Sequence, residues 1–289
     1  MIKVFGDIIL DVWIKGVYER YSPEAPVKIL DTKSTSFNLG GAANVAANLK
    51  SLKDNVKLYG VLSKDDSGIK VLKLLKEKKI KYLVDTKNKI TTTKTRIIDN
   101  KSSHLLRIDI EDVYKKKLIF IRFKNEIKKN DIIILSDYQK GVIKKNTVSE
   151  ILKYNKNIFI DPKNRPEIYK GAFLVKPNMK LYKKWVGKFS IKKSINLIKK
   201  MKWQWLIVTN GKYGVYAINK LGSVKHYKYK AKKVVDVSGA GDAFISVICH
   251  YFERGIPIFD CCNFACYAST KTVEKSMINV LTSRDMKKK

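Results

Sequence analysis

A chain of 289 residues can bury a large core and suits one α/β domain with an appendage better than two full domains, while 45% apolar and 10% aromatic content excludes a disordered chain. No apolar run is long enough to span a membrane, and Met1-Ile2-Lys3-Val4-Phe5-Gly6-Asp7 carries an acid where a signal peptide stays apolar, so a cytoplasmic protein is expected. The formal charge of +34 would suit nucleic acid, but only 7 of the 60 basic residues are Arg and the lysines are spread over every predicted helix, so a surface that attracts small anions is expected instead.

Ile2 to Leu10 reads as a buried parallel strand carrying Asp7, with Asp11 at its exit. Ligands of open α/β sheets gather at strand C-termini, so Asp11 either accepts hydrogen bonds from a substrate or serves as a turn residue. Val12 to Val17 and Ala25 to Leu30 alternate like a two-stranded flap. Asn38 to Ala46 opens a helix, where Gly40 and Gly41 let a ligand approach the backbone and Asn44, one turn on, can offer its amide to a hydroxyl. Strand 56–62, helix 67–78, strand 81–84, a hairpin over 91–99 and 104–110, helix 113–128, strand 131–136, helix 145–154 and strand 157–161 follow. This alternation predicts a mostly parallel, doubly wound sheet, and the two flap segments can pair as a small lid.

Leu206 to Val215 reads as strand, turn, strand. Val234 to Val237 is then a short apolar run before the small-residue turn Ser238-Gly239-Ala240-Gly241 and a helix over Ala243 to Phe252. Uncovered N–H groups at Gly239, Ala240 and Gly241 converge with the helix dipole on one point, which either holds a phosphate or merely turns the chain. Asp242 stands on the first helical turn. A carboxylate beside a phosphate cradle is costly unless it takes a proton from an attacking hydroxyl. Cys249, Cys261, Cys262 and Cys266 form no Cys-x-x-Cys pair and share no metal-ligand spacing with His104, His226 or His250, so buried free thiols are expected.

Asp236-Val237-Ser238-Gly239-Ala240-Gly241-Asp242, together with Gly40-Gly41, resembles the two signatures of the ribokinase/PfkB sugar kinases. The resemblance implies a ribokinase-like α/β fold over residues 1–289, with helices on both sheet faces and a small β lid from about 12–30 and 91–108. It implies that Asp242 is the catalytic base, that the Gly239, Ala240 and Gly241 backbone is the anion hole, and that Asp11, Gly40, Gly41 and Asn44 hold a sugar. ATP and Mg²⁺ are the implied cofactors. Thr209, Gly211 and Gly214 resemble the family's Thr-x-Gly-x-x-Gly contact to ATP. Asn178 resembles the start of its Asn-x-x-Glu motif, associated with Mg²⁺ and phosphate, but Leu181 replaces the acid. That departure implies a loosened metal, with Asp236, Asp161 or Glu167 as the substitute acid.

Arg20 to Val27, Thr93 to Arg96, Leu106 to Asp109, Ser136 to Gly141 and Asp161-Pro162-Lys163 narrow the resemblance to one subfamily, the D-glycero-D-manno-heptose 7-phosphate 1-kinases. It runs from Gly6-Asp7 to about Thr282. A substrate already bearing a phosphate needs cations at its far end, and Lys94, Arg96, Arg107, Lys140 and Lys163 are the candidates, each of which also reads as a solvated charge. No His-x-Gly-His nucleotidyltransferase motif is present, so the expectation is a stand-alone kinase. Two other readings compete: a PfkB kinase for another sugar, and a weakened homologue that binds without turnover. The expected partners are a sugar phosphate and ATP, with no nucleic acid and no membrane, and a homodimer stays open.

Overall fold

The opening apolar run divides between two sheets. In the computed structural model, which describes residues 1–100, 103–114, 123–275 and 280–286, β1 (Ile2–Gly6) lies inside a nine-stranded sheet and β2 (Ile8–Tyr21) leaves it to found a second one. The switch falls at Asp7, whose buried carboxylate accepts the N–H groups of Tyr138 at 2.7 Å, Lys140 at 3.1 Å and Val142 at 3.2 Å. The single strand expected through Leu10 is therefore two. Both pieces are buried, so the run stays apolar across the break, and Asp11 sits within the second sheet rather than at the exit of the first.

The large sheet continues through β4 (Val56–Val61), β5 (Lys81–Asp85), β8 (Ile132–Ser136), β9 (Ile158–Asp161), β10 (Leu174–Val175), β11 (Trp205–Thr209), β12 (Val215–Asn219) and β13 (Val224–Tyr227). Its order is β13-β12-β11-β10-β9-β8-β1-β4-β5, parallel throughout except for the two antiparallel pairs at the β13 edge. Alternate residues feed opposite cores. Ile2 and Val4 pack with α1 (Ala42–Ser51), α2 (Asp66–Glu77), α6 (Ala240–Phe252) and α7 (Ile258–Val273), while Phe5 packs with α3 (Lys145–Tyr154), α4 (Met179–Val186) and α5 (Ile191–Met201). This is the doubly wound arrangement expected, with helices on both faces. Of the helix expected over 113–128, residues 115–122 lie outside the described residues, and one 3₁₀ turn occupies Lys124–Glu126.

The second sheet has the order β3-β2-β6-β7, with β3 (Lys28–Gly41), β6 (Thr93–Ile98) and β7 (His104–Ile110). β2 and β6 run parallel, which sets Asp11 opposite Lys94 and Trp13 opposite Arg96. The lid is larger than the flap expected: β2 and β3 are each 14 residues long, buried at the root and exposed at the tip. All four cysteines are free and buried, and burial pushes the Cys261 thiol up to about 12 and that of Cys266 to about 11. No helix among the described residues is long and apolar enough to cross a membrane.

Candidate active site

The C-terminal ends of β8, β9 and β10 meet the N-termini of α1 and α6 beneath the lid. Gly239, at φ +78°, makes the left-handed turn that starts α6, and the Ala240 N–H, expected to be uncovered, donates back to the Val237 carbonyl at 3.3 Å because the turn closes on itself. Asp242 follows on its first turn and is 3% exposed. Its Oδ2 accepts the Asn44 amide at 2.7 Å and its Oδ1 the Tyr138 hydroxyl at 2.9 Å. Burial, reinforced by the charge of Asp161, pushes its carboxyl up to about 6, against the pull of these two donors and of Lys163. A carboxylate so poised is a competent base near neutral pH.

Beside the turn lies a buried ion cluster. The Lys176 ammonium donates to Asp161 Oδ1 at 3.1 Å, and Lys163 stands 3.7 Å from the same oxygen. Burial alone would raise Asp161, but the two lysines outweigh it and hold the carboxyl below its usual range. A Cβ on Gly241 would lie 3.5 Å from Lys176 Nζ and 3.6 Å from Asp161 Oδ2, so both groups border the Gly239–Gly241 turn.

On the lid side, Asp11 is buried and paired with Arg96, whose guanidinium lies 4.9 Å from the Trp13 ring centroid. Burial raises the Asp11 carboxyl and Arg96 opposes it. The two glycines make this packing possible. A Cβ on Gly40 would fall 2.0 Å from Asp11 Oδ2, and one on Gly41, at φ +57°, would fall 2.3 Å from the Asp7 carbonyl. The five candidate cations separate clearly. Lys94 and Lys163 bring their ammonium groups to 5.4 and 4.9 Å from the Tyr138 ring centroid, next to Asp242. Arg96 is committed to Asp11, Arg107 to Asp109 on its own strand at 2.7 and 2.9 Å, and Lys140 to Glu111.

The other side of the turn opens into a cavity of about 600 Å³. Thr209, Gly211 and Gly214 line it together with Ala240 and Gly241, so the segment expected to meet ATP and the turn expected to hold phosphate share one space. Asn178 does not line it. This residue caps α4 by accepting the Leu181 N–H at 2.8 Å and bridges to Thr209 through the backbone. Leu181 is half-buried and belongs to neither apolar core. Asp236 Oδ1 accepts the Ser238 N–H at 2.9 Å, while its Oδ2 is buried without a partner. No cluster of three or more metal-ligating side chains exists among the described residues. One unsatisfied carboxylate oxygen three residues before the turn expected to hold phosphate fits Mg²⁺, which takes most of its ligands from phosphate and water.

Tyr138 and Lys176 were not among the expected site residues. A single lysine cannot be picked out of so lysine-rich a chain by composition. Position marks both: Tyr138 lies two residues beyond β8 and Lys176 one beyond β10, where parallel strands deliver side chains to ligands.

A sequence model described as the pfkB family carbohydrate kinase matches residues 1–282. The chain belongs to this family. As a pfkB-family carbohydrate kinase it is 34% identical to the bifunctional protein HldE of Nitratiruptor sp., over 95% of this chain and 61% of that protein. It is also 34% identical to the protein of the same name from Haemophilus influenzae, over 95% of this chain and 60% of that one. The kinase thus spans about three-fifths of the length of these relatives. Its fold matches phosphofructokinase-2 from Escherichia coli in complex with potassium, with a TM-score of 0.83 at 15% identity over 99% of this chain and 97% of that one. Ribokinase from Arabidopsis thaliana complexed with ribose and ATP matches with a TM-score of 0.74 at 16% identity, over 99% and 96%.

Proposed function

We propose that this kinase transfers the γ-phosphoryl group of ATP to the anomeric hydroxyl of D-glycero-D-manno-heptose 7-phosphate, a cytoplasmic step toward lipopolysaccharide precursors. The observation that carries the reading is the place of Asp242: its helix N-terminus borders the nucleotide-sized cavity, and its carboxylate faces the lid through Asn44 and Tyr138. The sugar would lie over Asp11, Gly40, Gly41 and Asn44, with its phosphate at Lys94 and Lys163, and ATP would lie along Thr209, Gly211 and Gly214. Asp242 takes the hydroxyl proton as the new O–P bond forms, the bond to the bridging oxygen breaks, and ADP leaves. The Gly239 and Gly241 N–H groups and the Lys176 ammonium face the charge on the transferring group. Mg²⁺, when bound with Asp236 as its protein carboxylate, would neutralise charge on the nucleotide phosphates.

The choice of heptose rests on the Arg20–Val27 and Asp137–Gly141 segments and on the relatives named above, and the two lid-facing lysines support an anionic sugar. Measuring ATP consumption with a panel of sugars and sugar phosphates tests the reading. Heptose 7-phosphate should be used fastest. Equal kcat/KM for heptose and its 7-phosphate would refute the assignment, and no ADP release with any sugar would favour a homologue that binds without turnover.

A further inference from the structure

Tyr138 joins two parts of the site that no other described side chain connects by hydrogen bond and ring contact together. Among the described residues, its hydroxyl is one of two groups that hydrogen-bond the Asp242 carboxylate, and Asn44 holds the other oxygen. Its ring meets one ammonium from the lid, Lys94, and one from the body, Lys163. The loop that carries it is fixed from below by Asp7, which accepts the Tyr138 N–H at 2.7 Å. A phenol with cations against its ring is a stronger donor, and a carboxylate that accepts a stronger hydrogen bond is a weaker base. We propose that Tyr138 is a positioning residue that links the lid cation Lys94 to the catalytic carboxylate of Asp242. When the anionic end of a substrate engages Lys94, the phenol loosens its hold and Asp242 is released to take the proton. The inference rests on the reading of Asp242 as the base.

The groups facing Asp242 are Asn44 from α1, Tyr138 beyond β8, Asp161 and Lys163 beyond β9 and Lys176 beyond β10, with Lys94, Asp11 and Arg96 on the lid beyond the tyrosine ring. Tyr138→Phe keeps the ring and removes only the donor. With the best sugar phosphate of the panel, it should move the acidic limb of the kcat profile to higher pH, lower kcat only below that limb, and leave KM for ATP within about 2-fold. A purely structural tyrosine would not move that limb. In a double-mutant cycle, Lys94→Met should reduce kcat by a clearly larger factor in the parent than in Tyr138→Phe. Should the Phe variant fail to fold, 3-fluorotyrosine at position 138, a stronger donor, should move the limb to lower pH instead. A limb that stays put in these variants, or multiplicative effects in the cycle, overturns the inference. Asp242→Asn separates the two layers: if it is inactive while Tyr138→Phe behaves as the parent, only the present inference falls, and if it stays active the base assignment falls as well.

Discussion

The body and the outer edge of the lid hold their charges in opposite ways. In the body, Asp242, Asn44, Asp161 and Lys176 are buried and bonded to one another from the ends of two strands and two helices. On the lid, β7 is exposed along its whole length, Leu106, Ile108 and Ile110 face solvent, and Arg107 is occupied by Asp109, while Glu111 just beyond β7 holds Lys140 of the body. Groups that must meet a developing charge in one geometry are locked by burial, whereas groups that admit a substrate belong to a segment with little apolar anchoring, where opening is cheap.

The sharpest test of that contrast lies on the buried side. Asp242→Asn should lower turnover by about 10²-fold or more, the usual size of a general-base effect, while raising the melting temperature at pH 7. The sign follows from its raised carboxyl: folded Asp242 holds its proton up to about pH 6 and an unfolded Asp does not, so the ionised group weakens the fold above that pH. Asn removes this cost, on the order of 1–3 kcal/mol. Turnover within a few-fold of the parent, or a lower melting temperature, would break the picture of a strained, wired base.

The lid offers the next largest effect. Lys94→Met should cut the preference for a phosphorylated over an unphosphorylated sugar by about 10- to 150-fold, the worth of one charge-assisted contact. Arg107→Ala and Lys140→Ala should change it less than about 3-fold, because Asp109 and Glu111 already hold those cations. The reverse ranking in kcat/KM would mean that the exposed pairs, not Lys94, meet the substrate.

A pH profile of kcat sharpens the comparison further. Because the base must be ionised, activity should fall about tenfold per pH unit below about pH 6. A limb near the ordinary carboxylate value would show that Asp242 is solvated during turnover. The smallest effect is expected at Leu181. Since this side chain is half-buried and outside both cores, Leu181→Glu should leave the melting temperature nearly unchanged and lower the Mg²⁺ concentration needed for half-maximal activity by a few-fold. An unchanged Mg²⁺ titration in the stably folded variant would exclude a role for that position in metal handling.

The large sheet was legible because alternation and strand length are written in apolar periodicity, and the turn that starts α6 because Gly239 and Gly241 flank the onset of an apolar helical pattern. The extent of the lid was not. Its strands carry a buried Gly16 and, on an exposed outer half, Asp31 and a run of polar residues, which reads as loop until β2 and β6 pair across distant sequence. The division at Asp7 was hidden because two buried strands laid end to end look like one. Local patterns also cannot rank five cations, since the ranking depends on which acids, such as Glu111 or Asp109, fold back against them.

The root of the lid has a mechanical consequence. Asp7 alone separates β1 from β2, and its carbonyl accepts the Ala42 N–H at 3.0 Å just after β3 returns, so the β2–β3 half of the lid is clamped at its root with no slack in either strand, while β6 enters beside it where the Leu10 N–H donates to the Thr92 carbonyl at 2.9 Å. Its flexure must be spread along β2 and β3, whose register slips between Lys15 and Gly16 and again between Val17 and Arg20, rather than concentrated at a pin. The β2–β3 pair transplanted between relatives would therefore have to carry residues 7 and 41 as one splice, while the exposed far turn at residues 22–27 is the place to graft a tag or a longer arm.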